Sequence, residues 1–157
     1  MEASTVRLRR AVLADSEFIF DVRRQAFRQY IELGEGWNEK RELEQHVERF
    51  KRQRFRIITA DAGDVGYMAT AVYSATTTFP PRLYLHQLML LPAFQSKGIG
   101  SACLRLLADE ARLLGLPIRL RVLRVNTRAF AFYIAFGYEV IDESDSHFTL
   151  EWRGGNR

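Results

Sequence analysis

A single cysteine, Cys103, stands among 157 residues, so no disulfide can close within the chain and no thiolate zinc set can assemble. No apolar run approaches the roughly 18 residues of a membrane span. The opening MEASTVRLRR also lacks the apolar stretch of a signal peptide, so a cytoplasmic location is expected. Lysine is scarce: 20 of the 23 basic residues are arginine. These arginines are spread along the whole chain, many beside Glu or Asp, as in NEKRELEQHVERFKRQR (38–54), which reads as a solvated helix face. A groove-binding surface would concentrate such charge, so nucleic acid is disfavoured as a partner. A net charge of +4 suits an anionic small molecule at least as well. Repeats, low-complexity tracts and linkers are also missing, and one domain over residues 1–157 is expected.

Periodicity supplies the elements. TVRLRRA (5–11) alternates as a strand, and Asp15 or Ser16 can cap a helix to about Tyr30 with Phe18, Val22 and Phe27 inward. Gly34 and Gly36 break it, and Asn38 can cap a second helix on which Leu43, Val47 and Phe50 recur at helical spacing. RFRIITA (54–60), the turn DAGD and VGYMATAVYSA (65–75) read as an antiparallel hairpin. After a loop holding Pro80 and Pro81, LYLHQLMLL (83–91) is an apolar strand that Pro92 ends. A helix to about Leu114 follows, with Ile99, Cys103, Leu106, Leu107, Ala111 and Leu114 on one stripe. IRLRVL (118–123) is a strand, TRAFAFYIAF (127–136) a helix capped by Asn126, and YEVI (138–141) and HFTLEW (147–152) close the chain as strands. The fold class is therefore α+β (mixed α/β): about seven strands, largely antiparallel, four helices, and one strand–helix–strand crossover at 83–123.

Between the apolar strand and the long helix lies QSKGIG (95–100). The first N–H groups of a helix have no partner, the helix dipole places positive charge there, and glycine lets main chain approach an oxyanion. Neither the G-x-x-x-x-G-K-[ST] nor the G-x-G-x-x-G spacing is present. On physics alone, a tight turn and a phosphate cradle stay equally open.

The surrounding stretch LMLLPAFQSKGIGSACLRLLADEA resembles the acyl-CoA-binding motif of the GNAT superfamily of N-acyltransferases, Q/R-x-x-G-x-G/A after a strand ending in proline, met by Gln95, Gly98 and Gly100. VNTRAFAFYIAFGYEV (125–140) is similar to that family's second signature at Asn126, Ala129, Tyr133, Gly137 and Tyr138. The order of elements agrees from residue 5 to residue 152. The resemblance implies that the strand at 83–91 splays from that at 118–123. Main-chain groups of Leu88, Met89 and Leu90 would then meet pantetheine, and the amides of Gln95, Ser96, Lys97, Gly98, Ile99, Gly100 and Ser101 would receive the pyrophosphate of acetyl-CoA. Asn126 would touch the same cosubstrate. Tyr133, by spacing a core aromatic beside Phe130, Phe132 and Phe136, becomes the acid that protonates the departing thiolate. No metal is expected.

The acceptor is expected to be a primary amine of a small molecule or a peptide, attacking directly in a ternary complex. Cys103 lies on an apolar stripe and reads as a small buried hydrophobe, not as an acyl nucleophile. Some members that acetylate ribosomal-protein and peptide N-termini carry a glutamate five residues before the asparagine; Arg121 stands there instead, which puts that subgroup in doubt. Candidate bases are Glu35, His86, Gln87 and Tyr73. Candidate acceptor contacts are Tyr30, Glu35, Trp37, Tyr73 and His86, with Trp37 equally able to serve as a hydrophobic staple on the second helix. A GNAT-fold module that binds acyl-CoA without transferring it is the alternative. The closing strands leave a homodimer open.

Overall fold

The computed structural model describes residues 5–154; the outermost residues of the expected 1–157 domain lie outside that range. Strands β1 (Arg7–Arg10), β2 (Arg54–Ala60), β3 (Gly63–Tyr73), β4 (Arg82–Leu90), β5 (Ile118–Leu123), β6 (Glu139–Glu143) and β7 (His147–Trp152) alternate with helices α1 (Ser16–Glu32), α2 (Glu39–Arg52), α3 (Ile99–Leu114) and α4 (Thr127–Phe136). The seven strands are ordered β1-β2-β3-β4-β5-β7-β6. The β1/β2, β2/β3, β5/β7 and β6/β7 pairs are antiparallel, and β4/β5, joined through α3, is parallel. This is the expected mixed α+β sheet with its one crossover. Among the described residues no helix is long and apolar enough to cross a membrane.

The chain groups into two compact units: one runs to Thr70 and takes in Gln87–Cys103, and the other comprises Ala71–His86 with the chain from Leu104 onward. In the first, the alternation of β2 and β3 sends Phe55, Ile57, Tyr67 and Ala69 to one face, where Ile19 and Val22 of α1 close the core. In the second, Leu83, Leu107, Ala111, Ile118, Leu120 and Leu150 are buried.

Helix α2 corrects the expectation from its apolar spacing. Leu43 and Val47 are 48% and 46% exposed, whereas Glu42 and His46, on the charged face expected to be solvated, are buried. The reason lies on α1, whose inward stripe carries Arg23. The Arg23 Nε donates to Glu42 Oε1 at 3.2 Å, and Ser16 Oγ lies 2.7 Å from His46 Nε2. Two polar attachments thus set the rotation of α2, with Phe50 packed against the core. Phe27 of α1 and Leu114 of α3 also fall short of full burial, Leu114 because it sits in the last turn above Gly115.

Burial lowers the pKa of His46, with the Arg49 charge adding to it, the Ser16 contact opposing it and Arg23 contributing less. His147 is lowered by burial and then by Arg121. An unfolded histidine takes a proton near pH 6.5, whereas these two resist until lower pH, so the unfolded chain binds more protons in that window. Stability is therefore expected to fall as pH drops from about 6.5 through the lowered values. Thermal melts between pH 7 and pH 5 check this; a flat melting temperature would contradict it, and His46→Gln should make the decline shallower.

Candidate active site

In the first unit, β4 ends at Leu90 and a 3-10 turn, Pro92–Phe94, redirects the chain. The Gln95 amide reaches back, its Nε2 donating to the Leu90 carbonyl at 3.0 Å. Ser96 has φ 61° and Gly98 φ 84°. Left-handed backbone costs a non-glycine residue about 1–3 kcal/mol and concentrates at sites where the geometry is used. Left-handed residues interspersed in a loop gather N–H groups into an anion-binding concavity. Ser96, Lys97 and Gly98 are exposed, and α3 starts at Ile99. The amide of Ala102 is the one that donates to the Gly98 carbonyl, at 3.1 Å, so the amides just before it lie ahead of the helical ladder. QSKGIG is therefore a turn built at the positive end of a 16-residue helix, with main chain and one lysine facing solvent. Turn and cradle, left open by the residues alone, are compatible.

The β4/β5 ladder holds two pairs, Leu83↔Ile118 and Tyr84↔Arg119, although β4 continues to Leu90 and β5 to Leu123. Beyond Tyr84 these strands do not pair with each other. On the other side of β4, Gly66 lies against Met89 and Leu90. An added Cβ would overlap the Met89 carbonyl oxygen and stand 2.9 Å and 3.0 Å from Leu90 Cδ2 and Cα. Gly66→Ala is expected to displace Met89 and to cost about 1–3 kcal/mol by overpacking. Thermal melts check it, and an unchanged melting temperature would contradict it.

A buried polar network occupies the same unit. Gln87 Oε1 accepts from Tyr67 Oη at 2.5 Å and from Arg23 Nη1 at 3.1 Å. A guanidinium can only donate, so the Gln87 amide oxygen must face it and the NH2 must point away. Gln87, a candidate base by position, thus has its acceptor oxygen already taken by two donors. Burial pushes the Tyr67 phenol up to about 12. At the helix joint, Tyr30 packs on Phe27 at 5.8 Å. Trp37 lies 6.2 Å from Phe20, under the Arg28 guanidinium, and its Nε1 donates to Glu39 at 2.8 Å. These ring and cation contacts are to α1, and the fourth residue of α2 is Glu42, so Trp37 does not form the hydrophobic staple expected on the second helix. Glu35 is largely exposed, 3.9 Å from Arg41. Cys103 is buried with its thiol pushed up to about 12 by desolvation, an inert state.

In the second unit, Asn126 caps α4 by accepting from the Ala129 N–H at 3.1 Å, and Gly137, with φ 122°, ends it. This fixes Tyr133 one turn before the end, 9% exposed, with its ring 5.4 Å from Tyr138. Burial raises the pKa of both phenols, so both stay protonated at neutral pH. Tyr138 Oη is buried without a hydrogen-bond partner among the described residues. Tyr73 Oη and His86 Nε2 are 2.8 Å apart, and the Tyr84 ring lies 4.6 Å from that of His86, tilted by 40°.

The sequence profile of the acetyltransferase (GNAT) family matches residues 17–138. The chain belongs to that family. No curated protein matches the sequence. Similar solved structures include PaiA N-acetyltransferase from Thermoplasma acidophilum in complex with coenzyme A, with 22% identity, TM-score 0.72, and 95% of this chain and 99% of that one covered. The ribosomal-protein-S18-alanine N-acetyltransferase from Escherichia coli has 16% identity and TM-score 0.68, covering 98% of this chain and 96% of that one. Naa50 from Arabidopsis thaliana with the bisubstrate analogue CoA-Ac-MVNAL has 20% identity and TM-score 0.65, covering 93% and 97%.

Within this GNAT chain the candidate residues divide between the units. The loop 95–101, Leu88–Leu90, Tyr30, Glu35 and Trp37 stand in the first; Tyr73, His86, Asn126 and Tyr133 stand in the second. Tyr73 and His86 are joined directly, a pairing that the 13-residue separation did not announce. The Arg23–Gln87–Tyr67 network escaped the sequence reading. Its one signal was Arg23 on the otherwise apolar inward stripe Ile19–Val22–Ala26 of α1. Among the described residues no group of three or more His, Cys, Asp or Glu is placed to hold a metal.

Proposed function

We propose that this GNAT protein transfers an acetyl group from acetyl-CoA to a primary amine by direct attack in a ternary complex. The observation that carries the reading is QSKGIG at the N-terminus of α3, with left-handed backbone at Ser96 and Gly98. Its amides suit a pyrophosphate, and Lys97 adds charge. The early end of the β4/β5 ladder supports a role for the Leu88–Leu90 main chain in meeting pantetheine amides and the acyl carbonyl. Asn126 holds α4 in place and contacts the cosubstrate.

The amine nitrogen attacks the thioester carbonyl carbon; the C–N bond forms and the C–S bond breaks. Sulfur leaves with the bonding pair, and the proton lost by nitrogen balances the one that sulfur gains. Tyr133 retains its proton at neutral pH because burial raises its pKa, so its O–H can meet the developing thiolate. His86, coupled to Tyr73, is the group that accepts the amine proton, directly or through water. A lysine-type amine is neutral about once in a few thousand at pH 7 and an α-amine about once in ten, so the demand on this base depends on the acceptor. A free-CoA release assay over amino acids, peptides, alkylamines and polyamines tests the proposal. Release that depends on one acceptor class, with acetylated amine in the mass spectrum, is expected. Binding of acetyl-CoA with no release for any amine would leave a non-transferring acyl-CoA module.

A further inference from the structure

The second unit carries a cationic, aromatic sheet face to which no ligand has yet been assigned. Directly opposed residues on paired strands share a face, and the register places Tyr84, Arg119 and Glu151 in one row and Arg121 and Thr149 in the next. Arg119 Nε donates to Glu151 Oε2 at 2.7 Å, and Arg153 pairs with the same carboxylate. Glu151 is therefore spent on two guanidiniums. Arg121 is exposed and has no ion pair or hydrogen bond among the described residues. Its charge reaches the Tyr84 phenol on one side and the His147 ring on the other. Arg82 lies 5.0 Å over the rings of both Tyr73 and Phe79 and donates to the Pro80 carbonyl, with no carboxylate on it among the described residues. Of these three arginines of β4 and β5, Arg119 alone pairs with a carboxylate among the described residues, and it shares that one with Arg153. Beside them stand Tyr84, His86 and the 37%-exposed Tyr73.

Such a face repels a second ammonium and attracts an oxyanion.

We infer that the acceptor amine carries an anionic oxygen group, a carboxylate or a phosphate ester, and that Arg121 receives it with Arg82 beside the Tyr73–His86 pair. The inference rests on the acetyltransferase reading and names its substrate class. Arg121 here is a specificity-determining residue: a charge-assisted bond is made to the acceptor and not to the acyl group.

The test uses the intact protein and matched amines: an amino acid, its carboxamide, an aminoalkyl phosphate and a linear polyamine. The amino acid or the aminoalkyl phosphate should exceed the carboxamide in kcat/KM by about 10- to 100-fold, the range of a hydrogen bond to a charged group. The two anionic arms then tell carboxylate from phosphate. Arg121→Gln should cut the anion-to-carboxamide ratio of kcat/KM roughly tenfold, mainly through KM, and Arg121→Glu should reverse the preference. Calorimetry with acetyl-CoA confirms that both variants remain folded and loaded. A polyamine or carboxamide turned over as well as its anionic counterparts, or an unchanged ratio in both variants, overturns the inference and leaves acetyl transfer intact. No turnover with any of the four amines overturns both.

Discussion

Tyr133→Phe is expected to lower kcat by about 10²–10⁴-fold, the range of general acid–base help, with acetyl-CoA affinity nearly unchanged. The substitution removes one oxygen from a side chain already packed against Phe132 and Tyr138, so the rings keep their contacts and α4 keeps its caps. The phenol lost is one that burial keeps protonated, so what disappears is a proton donor and not an anion. A free phenol of pKa about 10 and a thiol of about 8.5 already favour the thiolate over proton transfer, and burial widens that gap. In the proposed mechanism the hydroxyl therefore acts chiefly by donating a hydrogen bond to the charge that develops on sulfur. Acyl donors with better leaving groups, such as thioesters of more acidic thiols, should then lose less in the variant. Unchanged turnover in Tyr133→Phe would remove Tyr133 from the acid role.

Arg23→Leu is expected to cost about 3–5 kcal/mol of stability, because it leaves the buried Glu42 carboxylate without its ion-pair partner. Glu42 is 1% exposed and Arg23 6%, so solvent does not replace the lost partner. For a chain of this size the melting temperature should fall by roughly 6–20 °C. The same change frees Gln87, whose amide is held by Arg23 and Tyr67 together. Arg23→Leu combined with Glu42→Leu should recover much of the loss, since a buried ion pair replaced whole by apolar groups is often neutral. A shift below a few degrees in the single variant would contradict the account by showing that Glu42 finds another partner at little cost.

The two changes mark the boundary of what could be read from the residues. Strands β2, β5 and β7 and helix α4 begin and end where alternation, caps and glycine stops placed them, because those signals are local. QSKGIG and the Asn126–Gly137 signature were legible for the same reason: an anion loop and a helix cap are made by consecutive residues. Helix α2 was misjudged because its burial is decided by a partner on another helix. Apolar spacing favoured Leu43 and Val47, yet the Arg23–Glu42 pair and the Ser16–His46 contact turn the opposite side inward. The Tyr73–His86 and Arg119–Glu151 contacts are equally non-local, being set by register between strands. The acceptor side proposed above rests on such contacts, whereas the proposed donor loop is a motif of consecutive residues.

The most direct measurement is calorimetry of the intact protein with acetyl-CoA, alongside Gly98→Val, which places a β-branched side chain where φ is 84°. Saturable one-to-one binding within about 1 μM–1 mM, the usual range of substrate affinities, is predicted for the native protein, with strong weakening in the variant. No heat with acetyl-CoA at about 1 mM, or equal affinity in Gly98→Val, would contradict the assignment of this loop to the cosubstrate pyrophosphate.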